Sequence, residues 1–143
     1  MSDKKPAVDW KIYLIGGVTL IWNILGILNF VGQLNPETVA AMPESHRALI
    51  EGRPIWATLA FGLAVTTGAI GCLLILLRKR AAVLMLIVSL VCVAVQLIPS
   101  LYLISNGLSF SFLEIALAFI MPFIVSLYLV RFASFLNRQG WLN

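Results

Sequence analysis

AAVLMLIVSLVCVAVQLIPSLYLI, residues Ala81–Ile104, contains no charged side chain, and Arg78-Lys79-Arg80 stands directly in front of it. About 20 apolar residues in a helix cross the ~30 Å hydrocarbon layer of a bilayer. The stretch therefore reads as a membrane-spanning helix entered from a basic turn. Three further runs have the same character: Ile55–Leu77 on the other side of the turn, Ile12–Leu34 before it and Leu108–Val130 after it. With four such runs in 143 residues, the chain reads as one domain, residues 1–143, all-α, a polytopic four-helix membrane bundle. The short Arg78–Arg80 connection makes the second and third spans a tight antiparallel hairpin.

Composition agrees. Apolar residues are 61% of the chain and charged residues 11%, far from the average of soluble domains. The net charge of +4 is not a nucleic-acid signature, because the basic residues stand at the ends of spans, where they set orientation. Lys4, Lys5, Lys11, Arg78, Lys79, Arg80, Arg131 and Arg138 lie in the two tails and the second turn, leaving Arg47 and Arg53 in the first loop and none in the third. The positive-inside rule then predicts both termini in the cytoplasm, with the first and third loops on the other face. So strong a bias disfavours dual topology. The first span is too long for the apolar region of a signal peptide and no small-residue cleavage site follows it, so it is expected to remain. A short chain without eukaryotic sorting signals points to a bacterial inner membrane.

Small and polar residues recur along single faces of the spans. Gly16, Thr19, Asn23 and Gly26 share one face of the first, and Ala60, Ala64, Gly68 and Cys72 form a ridge on the second. In lipid such faces are helix–helix seams. Ser89, Cys92, Gln96 and Pro99 or Ser100 share a face of the third span, and Ser111, Glu114, Ala118 and Pro122 lie along nearly one face of the fourth. Each proline removes a backbone donor and frees a carbonyl four residues back, that of Val95 or of Ala118. Cys72 and Cys92 read as packing residues at different depths, unsuited to a disulfide. Between the first two spans, Asn35-Pro36-Glu37 and Pro43-Glu44 read as helix starts, giving one or two short helices over the mouth of the bundle. Val39, Met42, Leu49 and Ile50 are suited to lipid or bundle, and Glu37, Glu44, His46, Arg47 and Glu51 to water. Trp10, Tyr13 and Trp56 fit an interfacial aromatic belt, and Arg131, Arg138 and Trp141 a basic, aromatic anchor.

Glu114 is the only formal charge inside the four runs. It lies about two turns in from the start of its run, at a depth similar to Gln96 and slightly below Asn29. A polar site in that half of the bundle follows if these side chains face inward, with Glu114, Gln96, Asn29, Asn23 and Trp56 as candidate ligand-binding residues. A carboxyl at such depth favours its neutral form. The competing reading starts the fourth helix near Phe110 and leaves Glu114 at the wet interface. His46 with Glu44 and Glu51 matches no metal-ligand spacing. No phosphate-binding glycine loop, nucleophile–base pair or cofactor motif is present, so neither a cofactor nor an enzyme activity is expected.

Met42-Pro43-Glu44, Pro54-Ile55-Trp56, Ala60-Phe61, Gly68–Gly71, Leu76-Leu77-Arg78-Lys79-Arg80, the Gln96 region and Gly140-Trp141 together resemble a family of small bacterial four-span membrane proteins often labelled sugar transporters. The resemblance covers most of the chain. It implies a four-helix inner-membrane protein with an outer first loop and transfers no catalytic residue. The leading functional expectation is a protein that binds a small molecule or lipid in an outward-facing polar pocket, among membrane lipids, as a transporter if it forms a homo-oligomer. The alternative is an accessory subunit whose small-residue ridges pack against a larger membrane partner.

Overall fold

The computed structural model describes residues 9–143; Lys4 and Lys5 of the basic tail lie outside the described residues. Every regular element is helical: α1 Trp10–Gln33, α2 Pro36–Ala40, α3 Glu44–Gly52, α4 Ile55–Leu76, α5 Ala81–Ser105 and α6 Phe112–Arg138. Helices α1, α4, α5 and α6 are each long and apolar enough to cross a membrane, which defines a multi-pass membrane protein. Compared with the sequence reading, α1 and α5 shift by one or two residues. The fourth span shifts further: it starts at Phe112 rather than Leu108 and runs on to Arg138.

Local chemistry sets the helix starts. The Asp9 side chain accepts from the Lys11 amide at α1, and that of Asn35 accepts from the Glu37 amide at α2, with Pro36 in the first turn. At α6, Ser111 and Glu114 form a reciprocal capping box, which satisfies the amides of both residues, two of those that a helix start cannot pair internally. Within α6, Ala116–Ile120 forms a π-helical turn just before Pro122, where the Met121 amide donates to the Ala116 carbonyl. The wider turn stands directly ahead of the proline, which has no amide to give to the helix ladder.

The four long helices form a curled row. Helix α4 packs between α1 and α5, and α5 packs between α4 and α6, while α1 and α6, at the two ends of the row, make no extended contact. Small residues permit the close approaches. Ala60, Ala64, Gly68 and Cys72 are all buried on α4, as the ridge predicts. A Cβ on Gly16 would lie 2.7 Å from Leu76, on Gly26 2.8 Å from Val65, on Gly62 2.6 Å from Phe30 and on Gly71 2.6 Å from Leu86. Most large apolar side chains point outward instead, Leu28 being 63% and Leu59 58% exposed. An exterior of that kind is intolerable in water and matched to lipid. In lipid, packing and interhelical hydrogen bonds rather than apolar burial hold the helices together.

One end of the bundle is sealed. Ile12, Cys72, Ile75, Ala82, Leu86, Leu129, Ala133, Leu136, Trp141 and Leu142 form a single buried cluster. The segment after α6 folds back on the Arg78–Arg80 turn: the Asn143 amide donates to the Arg78 carbonyl at 2.6 Å, and the Arg80 amide to the Asn143 carbonyl at 2.9 Å. The Arg78 Nε donates to the Trp141 carbonyl at 3.1 Å and its guanidinium stacks 4.6 Å from the Trp141 ring. Arg78 takes a left-handed backbone, φ 60°. Trp141, expected at an interface, is instead only 1% exposed.

Candidate functional site

The curl of the row encloses a cavity of about 520 Å³, within the usual ligand-site range of ~300–1,000 Å³. All four long helices line it, and α3 lies over its mouth. The spacing of His46, Leu49 and Ile50 explains the roof: one face of α3 turns these side chains to the cavity, flanked by Met42 before the helix and Arg53 at its C-cap, while Glu44 and Glu51 are exposed. His46, grouped with the water-facing residues on sequence grounds, lines the cavity instead. The roof meets all four walls. Arg53 donates to Gln33 of α1 and, from Nε at 3.1 Å, to Thr58 of α4. A Cβ on Gly52 would meet Leu103 of α5 at 3.3 Å. His46 packs edge-on against Phe110, 5.5 Å between ring centres, ahead of α6.

Of the sequence-predicted site residues, Asn23, Asn29 and Gln96 line this one cavity; Glu114 and Trp56 do not. The Gln96 carboxamide has no hydrogen-bond partner among the described residues and is available to a ligand. Asn29 Oδ1 accepts from Gln33 Nε2 at 3.3 Å, which extends the Arg53–Gln33 link down the wall. Asn23 is buried and ties α1 to α4: its Nδ2 donates to the Thr19 carbonyl at 2.9 Å and to Cys72 Sγ at 3.7 Å, and Cys72 in turn donates to Thr19 Oγ1 at 3.4 Å. Both cysteines are free thiols. On the opposite wall, buried Ser89 of α5 donates to the Ala64 carbonyl of α4 at 2.7 Å.

Glu114 does not converge with Gln96 and Asn29, because α6 begins only at Phe112. Its Oε2 accepts from the Ser111 amide at 2.7 Å, and its Oε1 lies 3.6 Å from His46 Nδ1. The carboxylate caps a helix and braces the roof. Trp56 sits at the start of α4 with 48% of its surface exposed.

Sequence reasoning missed Arg53, Gln33, His46 and Ser126, which also line the cavity. The signal for Arg53 was present: Met42, His46, Leu49, Ile50 and Arg53 recur at helical spacing, and the cation at the end of that series has no acidic residue in the first three spans. Burial pushes the Arg53 guanidinium below its ordinary pKa, as expected for a cation taken from water without a counter-ion. Among the described residues its partners are neutral.

Compared with known proteins, the chain matches no family model, no curated protein and no solved structure.

Proposed function

We propose that this membrane protein binds a small molecule or lipid in the polar cavity under α3, in a bacterial inner membrane with both termini cytoplasmic and the α3 end facing out. The observation that carries the reading is the convergence of Asn23, Asn29 and Gln96 on one cavity of about 520 Å³. Polar side chains in a span are costly and are kept where they pair or meet a ligand, and the Gln96 carboxamide has no hydrogen-bond partner among the described residues. Two features count against the accessory-subunit alternative: Gly16 and Gly26 close on α4, and Gly62 and Gly71 close on α1 and α5. These faces are used within one chain, as a self-contained bundle requires. One bundle closed at its Arg78–Arg80 end holds a ligand but gives no through path, so transport would require an oligomer or a second conformation. The resemblance to the small four-span family labelled sugar transporters fits the same proposal.

Native mass spectrometry of the protein released in a mild uncharged detergent tests it. A retained small molecule or lipid, lost from Gln96→Leu and Asn29→Leu proteins that still fold, is the expected result. A bare chain at every detergent concentration, with a melting temperature that no added lipid or solute raises, overturns it.

A further inference from the structure

We infer that the ligand is an anionic amphiphile, with a carboxylate or phosphate head on Arg53 and a hydrocarbon chain reaching the cavity sideways from the bilayer between α1 and α6. This rests on the cavity being a binding site and names the class of molecule it takes.

The head is fixed by charge. Among the described residues, Arg53 is the only one lining the cavity with a permanent charge. Of its five N–H donors, one on Nε and one on Nη2 are engaged by Thr58 and Gln33. Three remain, on the two terminal nitrogens that form the fork matching a carboxylate or phosphate. The groups around it are Gln33 and Asn29 from α1, Thr58 and the Phe61 ring from α4, 5.6 Å from the guanidinium, and His46 from α3. None is an anion. The acidic residues of the roof, Glu44 and Glu51, are exposed and outside the lining, and Glu114, also outside it, is held by the Ser111 amide and His46.

The chain is fixed by the depth of the cavity and its opening. Away from Arg53 the lining passes Val65, Val93, Val125 and Leu129 and ends at the buried cluster; of the polar side chains among them, Asn23 and Ser89 donate to protein partners and Ser126 carries only a small hydroxyl. A soluble anion has no use for that depth, and a neutral lipid none for the cation. The cavity also opens where α1 and α6 fail to meet: its rim residues Leu25 and Leu117 are 58% and 55% exposed, and Trp22 39%. These are lipid-facing positions, so a chain enters from the membrane without crossing water.

Trp22 on the rim supplies a reporter. The full-length protein in an uncharged detergent is titrated with dibrominated stearate, with a brominated alkyl phosphate and with the neutral glycerol ester of the same brominated acid; quenching assigned to Trp22 by a Trp22→Phe control reports occupancy. Both anionic probes are expected to bind at least about tenfold tighter than the neutral ester, a difference of ~1.4 kcal/mol. Arg53→Gln should reduce that preference below about threefold, and Arg53→Lys, a point charge without the fork, should retain part of it. If Arg53→Gln fails to fold, the anion-to-ester ratio of the unaltered protein still decides. Equal binding of anionic and neutral probes overturns the head assignment and leaves the cavity reading standing. Quenching that Ser126→Phe does not reduce, or no binding at all, removes the cavity reading as well. Acetate or inorganic phosphate displacing the probe at concentrations similar to the amphiphile's own overturns the amphiphile in favour of a soluble anion. A dimer in native mass spectra that excludes the probe puts a second copy in the gap and also overturns it.

Discussion

Gly68 shows how closely three helices depend on one missing side chain. A Cβ there would run into Asn23 Oδ1 from α1 and lie 3.1 Å from Ser89 Oγ of α5. The two polar side chains reach α4 from opposite sides because nothing projects between them. Gly68→Ala should therefore destabilise the bundle by about 1–3 kcal/mol, the usual cost of overpacking, seen as a lower melting temperature in detergent. Gly17, on the same helix as Asn23, has open space where a Cβ would go. Gly17→Ala should be neutral or stabilising by up to about 1 kcal/mol, since alanine loses less backbone freedom in a helix. If both substitutions behave alike, the close approach at Gly68 is not what sets the packing. Ser89→Ala removes one interhelical hydrogen bond, to the Ala64 carbonyl, and should cost about 0.6 kcal/mol and at most ~1.7.

At the scale of the element, α6 is the instructive case. Reading the apolar run back to Leu108 places Glu114 inside the bilayer; the capping box places it at the third position of the helix. Apolar content extends a span by hydropathy, while an N-cap ends it by hydrogen bonding, and the cap decides. Glutamine completes a capping box as glutamate does, so Glu114→Gln should fold with little loss of thermal stability. Ser111→Ala, which removes the side chain accepting from the Glu114 amide at 3.2 Å, should cost about 1 kcal/mol and loosen the roof where His46 meets Phe110. Hydrogen exchange of residues 44–52 and 110–116 measures both, and equal protection in the two variants would show that the cap does not hold the roof. The short α3 follows the same logic: its apolar face was legible, but the side on which His46 and Arg53 fall depends on how the helix lies across the mouth.

For the whole molecule, the sealed end and the open gap divide the labour. Trp141 closes the bundle where α1, the Arg78–Arg80 turn and the end of α6 meet, packing edge-on to Tyr13 at 6.0 Å. Trp141→Ala should cost about 3–5 kcal/mol, as for a large buried aromatic, in reversible unfolding in detergent. Trp10, 66% exposed, should tolerate alanine within about 0.5 kcal/mol. Comparable losses at the two positions would mean that the tail does not dock as described.

The sequence by itself determined the number of spans, the hairpin at Arg78–Arg80, the α4 ridge and the presence of helix over the first loop. These depend on hydropathy, residue size and helix-start chemistry, all written within one element. It also named Asn23, Asn29 and Gln96, because a polar residue in an apolar run is conspicuous wherever it points. Only the tertiary structure decided that those three share a cavity while Glu114 and Trp56 stay outside it, that Arg53 joins them, and that Trp141 turns inward. The shared cavity depends on the rotation of one helix against another, the place of Glu114 on where α6 starts, and that of Trp141 on the fold-back of the segment after it. Rotation is set by which small residues meet across a seam, a relation between distant parts of the chain that no single run contains.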